Sequence, residues 1–176
     1  MIIFNKTEIP DVVTFKNKEF QDDRGTFMEV FNKNMYDYFQ CDFVQDNYVK
    51  TVKKHVIRGM HFQIKEPQAK LIRVVKGEIL DVAVDLRKDS PNFKKWVSRI
   101  LSDVNMLNMF IPVGFAHGYC TLTENTEVFY KCSNYYNKIY DAGFLWSDEN
   151  INIKWPTNNP IISKKDQNLP NFKEIM

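Results

Sequence analysis

The sequence predicts a mainly β fold, a sandwich or small barrel carrying a few short helices. Two observations predict it. Short β-rich runs recur at roughly ten-residue spacing between turn residues, and long helical patterns are scarce. A third observation says that such a fold can close on a core. Of 176 residues, 44% are apolar, and 14 Phe, 8 Tyr and 3 Trp supply large side chains to bury. That composition excludes intrinsic disorder.

The runs follow in chain order. Residues 12–15 are apolar and β-branched, and residues 26–31 follow the turn signal Asp22-Asp23-Arg24-Gly25. The best helical segment is 34–40, where Met35, Tyr36 and Phe39 are spaced to share a face and Asn32 or Asn34 can cap it. Residues 43–49, 70–75 and 78–86 come next, and Lys76-Gly77 between the last two predicts a tight hairpin. In 78–86, Leu80, Val82, Val84 and Leu86 share one parity, and Asp81, Ala83 and Asp85 share the other. A strand points these sets to opposite sides, so Asp81 is aimed at a different surface from Val82. Residues 96–101, 107–111, 118–122 and 127–132 complete the strand candidates, and the chain from Trp155 to Pro160 reads as irregular, wrapping the barrel. With no repeat or composition break, residues 1–176 read as one domain.

Charge and cysteines narrow the function. Net charge is +2, from 24 basic and 22 acidic residues, without the basic excess of a nucleic-acid binder. The first ten residues mix Ile2, Ile3 and Phe4 with Asn5, Lys6 and Glu8 and lack the apolar stretch of a signal peptide. No run reaches the roughly 18 apolar residues of a membrane span. Cys41, Cys120 and Cys132 form neither a disulfide framework nor a zinc pattern, so a cytoplasmic location is expected.

There are three histidines. His55 beside Lys53-Lys54 reads as a solvated surface residue, and no pair has metal-ligand spacing, so no metal is expected. His61 lies in Val56-Ile57-Arg58-Gly59-Met60-His61-Phe62-Gln63, where Gly59, His61 and Gln63 share one strand face and Met60 and Phe62 the other. His117 follows a Pro- and Gly-containing turn. Lys70, Asp81 and Tyr130 interrupt apolar strands. Burying such groups costs several kcal/mol unless they are paired, so either they line a polar cavity or they face solvent. Nucleotide loops of the GxGxxG or P-loop kind and the Gly-x-Ser-x-Gly elbow are absent.

Taken together the motifs resemble the dTDP-4-dehydrorhamnose 3,5-epimerases, which are jelly-roll cupins. Nine pieces carry the resemblance, in order and spacing, from about Asp11 to Asp166. They are Asp23-Arg24-Gly25; Phe43-Val44-Gln45-Asp46-Asn47; Ile57-Arg58-Gly59-Met60-His61-Phe62-Gln63; Lys70-Leu71-Ile72-Arg73; Asp81-Val82-Ala83-Val84-Asp85-Leu86-Arg87-Lys88; Pro112-Val113-Gly114-Phe115-Ala116-His117-Gly118; Tyr130-Lys131; Ile153-Lys154-Trp155-Pro156; and Ser163-Lys164-Lys165-Asp166. The resemblance implies His61 as general base with Asp166 orienting it, Tyr130 as general acid on the other face of the sugar, and Lys70 as the enolate's partner. It places Asp81 and His117 in the same polar cavity, and Arg24, Glu29, Gln45, Asn47, Arg58, Tyr136 and Lys165 on the nucleotide. It implies no metal or organic cofactor, and a homodimer whose N-terminal strands reach the neighbour's site.

Three departures fall near the expected substrate rim. Tyr48-Val49-Lys50 follows Asn47, Asp141 stands where the family usually has Glu, and Asn137-Lys138-Ile139-Tyr140 lacks the usual Ser-Pro. They bear on the base and sugar, so a GDP-linked 4-keto heptose epimerase is the alternative substrate reading. A non-catalytic sugar-binding cupin is the alternative from another class.

Overall fold

The computed structural model describes residues 4–175. Fourteen strands run as β1 (Phe4–Lys6), β2 (Val13–Phe15), β3 (Glu19–Asp22), β4 (Gly25–Met28), β5 (Gln45–Thr51), β6 (Val56–Gln63), β7 (Lys70–Lys76), β8 (Glu78–Asp85), β9 (Trp96–Ser102), β10 (Asn108–Ile111), β11 (Phe115–Thr121), β12 (Thr126–Cys132), β13 (Asp141–Gly143) and β14 (Ile161–Ile162). A 3₁₀ turn at Lys33–Met35 leads into helix α1 (Tyr36–Phe39), and α2 (Lys164–Gln167) and α3 (Phe172–Ile175) close the chain.

The strands form two sheets. One runs β1-β2-β10-β7-β12-β5, the other β13-β6-β11-β8-β9 with β14 parallel to β6, and β3–β4 is a separate ribbon. Ile72, Val74 and Val128 from the first sheet meet Ile79, Ala83 and Tyr119 from the second in the core between them. The other parity of β8 packs outward. Val82 and Val84 join Met60, Phe144 and Phe172 in a second core under the C-terminal wrap. The two faces read from the alternation of β8 are therefore both present, and both are covered.

Several local expectations are corrected. Lys76-Gly77 does not make a hairpin within one sheet, because β7 and β8 belong to different sheets and the dipeptide is the corner between them. Gly77 has φ 79°, and a Cβ there would lie 2.4 Å from Thr123 Oγ1, so the corner needs glycine. In the helical segment Asn32 is the cap, its side chain accepting from the Asn34 N–H. Met35 and Phe39 are buried, but Tyr36 is exposed, since it lies about 100° around the helix from Met35. His55 is half-buried rather than solvated, its backbone bonded to Thr121 and Ile161. Strand β11 starts at Phe115 rather than at Gly118, so His117, which does follow the turn at 113–114, sits inside the strand.

Candidate active site

Strand periodicity places the polar groups. On β12, Val128 is buried in the core and Cys132 is buried beside the cavity, and Tyr130 between them shares their face. On β7 the same parity carries Lys70 beside Ile72 and Val74. Tyr130 pairs in register with Asn47, and Cys132 pairs with both Gln45 and Lys70, so one wall carries Tyr130, Lys70, Gln45 and Asn47.

The facing wall is built on β6, β11 and β8. His117 stands opposite His61, and Tyr119 opposite Arg58, so β6 uses three residues where β11 uses two. This bulge brings Arg58 and His61, of opposite parity, to one side. Gly59 sits in it at φ 129°, and an added Cβ would lie 2.6 Å from Gly118 Cα and 2.8 Å from the His117 carbonyl.

Between the walls lies a cavity of about 490 Å³ lined by Arg58, His61, Lys70, His117, Tyr119, Tyr130, Ser163, Lys165 and Asp166 with five apolar side chains. A lobe of about 250 Å³ shares His61, Lys70, Tyr130 and Lys165 and continues to Gln45, Asn47, Tyr136 and Asp141.

Two histidine–carboxylate pairs anchor the second wall. His61 Nε2 lies 2.7 Å from Asp166 Oδ1. Asp166 is 3% exposed, and its other oxygen accepts from the Gly59 N–H at 3.4 Å. Although burial works against ionisation, the bond to His61 holds the Asp166 carboxyl below the usual carboxylate range. Helix α2 delivers this residue, with Ser163 as its cap accepting from the Asp166 N–H. A carboxylate on Nε2 fixes the proton there and leaves Nδ1 as the basic atom of His61. Behind it, His117 Nε2 meets Asp81 Oδ1 at 2.7 Å, both side chains buried. Burial pushes the His117 pKa down, so the ring is neutral. Burial also lowers the pKa of Lys70, against the pull of Cys132, Asp81 and Asp141. Burial raises the Tyr130 phenol, which keeps it a protonated donor near neutrality.

The rim is hydrogen-bonded. Gln45 donates to Asn47 Oδ1 at 3.0 Å and accepts from the Tyr136 N–H at 2.7 Å. Asp141 accepts from the Tyr136 hydroxyl at 3.0 Å and pairs with Lys165. The shorter carboxylate at the departure from the family pattern therefore still holds both neighbours. Arg24 and Glu29 are not brought to this cavity. Arg24 is exposed at the β3–β4 turn, paired with Asp22, and Glu29 beyond the ribbon accepts from Asn32. Tyr119 and Ser163 line the cavity without having been singled out for it; Tyr119 has the parity of His117, a signal present in the sequence. Among the described residues no group of three or more His, Cys, Asp or Glu side chains is placed to hold a metal ion, and no helix is long and apolar enough to cross a membrane.

A jelly-roll barrel whose cavity has a histidine–carboxylate pair on one wall and a lysine and a phenol on the other defines an acid–base enzyme for a small polar substrate. The model of the dTDP-4-dehydrorhamnose 3,5-epimerase family matches residues 6–174, and the chain belongs to that family of isomerases. It is 51% identical over 172 residues to the dTDP-4-dehydrorhamnose 3,5-epimerase of Shigella flexneri, covering 95% of this chain and 94% of the relative. It is 46% identical to that of Salmonella typhimurium over 175 residues, 97% and 95% of the two chains. The crystal structure of the Bacillus anthracis enzyme with TDP and pyrophosphate superposes with a TM-score of 0.93 at 43% identity, covering 98% of this chain and all of that one. The Legionella pneumophila dTDP-6-deoxy-D-glucose-3,5-epimerase in complex with dTDP-4-keto-L-rhamnose gives 0.95 at 35% identity, covering 100% and 95%. The family and the jelly-roll fold expected from the motifs are thus the ones found.

Proposed function

We propose that the chain inverts C3 and C5 of a dTDP-linked 4-keto-6-deoxy sugar, converting dTDP-4-keto-6-deoxy-D-glucose to dTDP-4-keto-L-rhamnose. The observation that carries this reading is the placement of His61 and Tyr130 on different sheets across one cavity. A C4 ketone acidifies the hydrogens on C3 and C5, because the carbanion delocalises onto oxygen as an enolate. Inversion takes the proton from one face and returns one to the other. His61, held by Asp166, removes it through Nδ1. Lys70 donates to the enolate oxygen, and Tyr130 delivers the new proton from the opposite wall, each positioned transfer contributing about 10²–10⁴-fold. His117 and Asp81 hold the inner end of the cavity. Gln45, Asn47, Arg58, Tyr136, Asp141 and Lys165 are assigned to the nucleotide diphosphate.

Arg24 and Glu29 enter this scheme through a homodimer. The β3–β4 ribbon pairs with neither sheet, and its Phe20 and Phe27 are 51% and 70% exposed. Exposed aromatics on a detached ribbon suit docking against a second copy. In the proposed dimer the ribbon carries Arg24 and Glu29 to the partner's cavity. The three cysteines are free, which suits a reducing cytoplasm.

The test is incubation with the dTDP-linked 4-keto sugar in D₂O, followed by NMR, with a GDP-linked keto heptose in parallel. Deuterium at C3 and C5 of an inverted dTDP product is expected. Labelling of the GDP sugar alone would reassign the substrate, and tight binding without label would make the protein a sugar-binding cupin.

A further inference from the structure

We infer that the Tyr119 hydroxyl is a substrate contact that reads an oxygen of the sugar ring seated between His61 and Tyr130. This deepens the epimerase reading above and rests on it. Tyr119 is 4% exposed, lines the main cavity, and among the described residues its hydroxyl has no hydrogen-bond partner. A buried phenol almost always finds a partner, because an unmade bond carries the full cost of desolvation. No nearby protein group takes that role. Thr51 is close enough to draw the phenol's pKa down slightly, yet no hydrogen bond joins the two, and its own hydroxyl accepts from Arg58 Nε at 3.4 Å. Burial raises the phenol's pKa, so the group is a neutral donor awaiting an acceptor.

Position identifies the acceptor. Tyr119 stands in register with Arg58 on one side and Asp81 on the other, one step along β11 from the row that holds His61 and His117. Two residues along a strand span about 6.6 Å, and the His117 and Tyr119 rings are 6.2 Å apart. That is about the breadth of a pyranose with its substituents. A sugar whose C3 or C5 faces His61 therefore extends a ring oxygen or hydroxyl to Tyr119. The diphosphate is the less suitable partner, because Arg58 and Lys165 already supply cationic donors nearer the solvent.

The test is Tyr119→Phe, which keeps the ring and removes the donor. Wild type and variant are titrated calorimetrically with dTDP-glucose, which lacks the ketone and does not react, and with dTDP. Turnover of the 4-keto substrate and melting of the ligand-free protein are measured alongside. The variant is expected to bind dTDP-glucose about tenfold more weakly and dTDP equally well. Its KM should rise by a similar factor, with the loss in KM rather than kcat, and its ligand-free melting temperature should hold or rise. Unchanged dTDP-glucose affinity would overturn the inference, as would equal weakening of dTDP, which would assign the hydroxyl to the phosphates. A lower melting temperature with unchanged affinity would make it a structural group. A wild type that binds dTDP-glucose but turns over no 4-keto substrate would refute the epimerase reading, while the two titrations would still judge the contact.

Discussion

Tyr130→Phe tests the proposed division of labour between proton removal and proton return. The substitution deletes one oxygen from a half-buried ring on β12 and leaves Val128 and Cys132 beside it in place. Among the described residues no side chain hydrogen-bonds the Tyr130 hydroxyl, so no partner is stranded and the fold should lose well under about 1 kcal/mol. His61, Asp166 and Lys70 are untouched, so on the proposed mechanism the enolate should still form. Without an acid on the far wall, the proton returns from the face it left. Inversion should fall by about 10²–10⁴-fold, the usual worth of a positioned acid, which is about 3–5 kcal/mol of barrier. Exchange of the C3 and C5 hydrogens with D₂O should fall less than about tenfold. NMR of the recovered sugar reads both at once, as deuterium in unchanged substrate and as product with inverted coupling constants. Parallel loss of exchange and inversion would refute the reasoning and give Tyr130 a role in binding. Near-normal inversion would refute it too, leaving the ring a packing residue.

Three further predictions follow from the same geometry. Lys70→Met should lower kcat by about 10²–10³-fold, the usual loss for one oxyanion donor, and slow exchange and inversion together in the D₂O assay. Gly59→Ala should destabilise the fold by at least about 2 kcal/mol in urea unfolding, because its Cβ meets backbone of β11 and φ 129° disfavours any side chain; an unchanged midpoint would mean that the bulge relaxes freely. Acid should weaken the fold in two stages. His117 has a lowered folded pKa, so the unfolded chain takes up that proton first and stability declines as pH falls below about 6.5. Asp166 is likewise lowered, so its contribution, full above the ordinary carboxylate range, is lost as pH falls below about 4. Thermal melts across pH 3–8 check the order, and a flat profile down to about pH 5 would contradict the His117 assignment.

The strands that build the walls were legible because one face of each meets a core. The alternation of β8 announced that Asp81 and Val82 part company, and the run from Lys70 announced a charge among apolar neighbours. Less was legible where pairing departs from simple alternation. Parity alone puts Arg58 and His61 on opposite sides, and only the extra residue at Gly59 brings them together. Gly77 read as a hairpin because a glycine between two strands looks the same whether the chain returns in its own sheet or crosses to the other. Strands β1, β3, β13 and β14 are two to four residues long and carry no period to detect. The role proposed for Asp166 came from the family pattern, although Ser163-Lys164-Lys165-Asp166 carries a capping signal that places a short helix there. That the β3–β4 ribbon stands apart is a matter of partners, which periodicity does not report.

Because His61 and Tyr130, the proposed base and acid, hang from different sheets, the gap between them is a property of the barrel's packing. Facing sheets sit about 10 Å apart, at a distance set by the side chains wedged between them. In this barrel Ile72, Val74, Ala83 and Val128 are among those spacers, and none of them borders the cavity. A methyl group added to Ala83 or removed from Val128 would change the stroke over which a proton is handed across the sugar. Drift in the core is then felt as drift in stereochemical fidelity: a barrel a fraction of an ångström too wide would still pull protons off but return more of them to the side they came from. Selection on the product's configuration thereby reaches residues that never touch it.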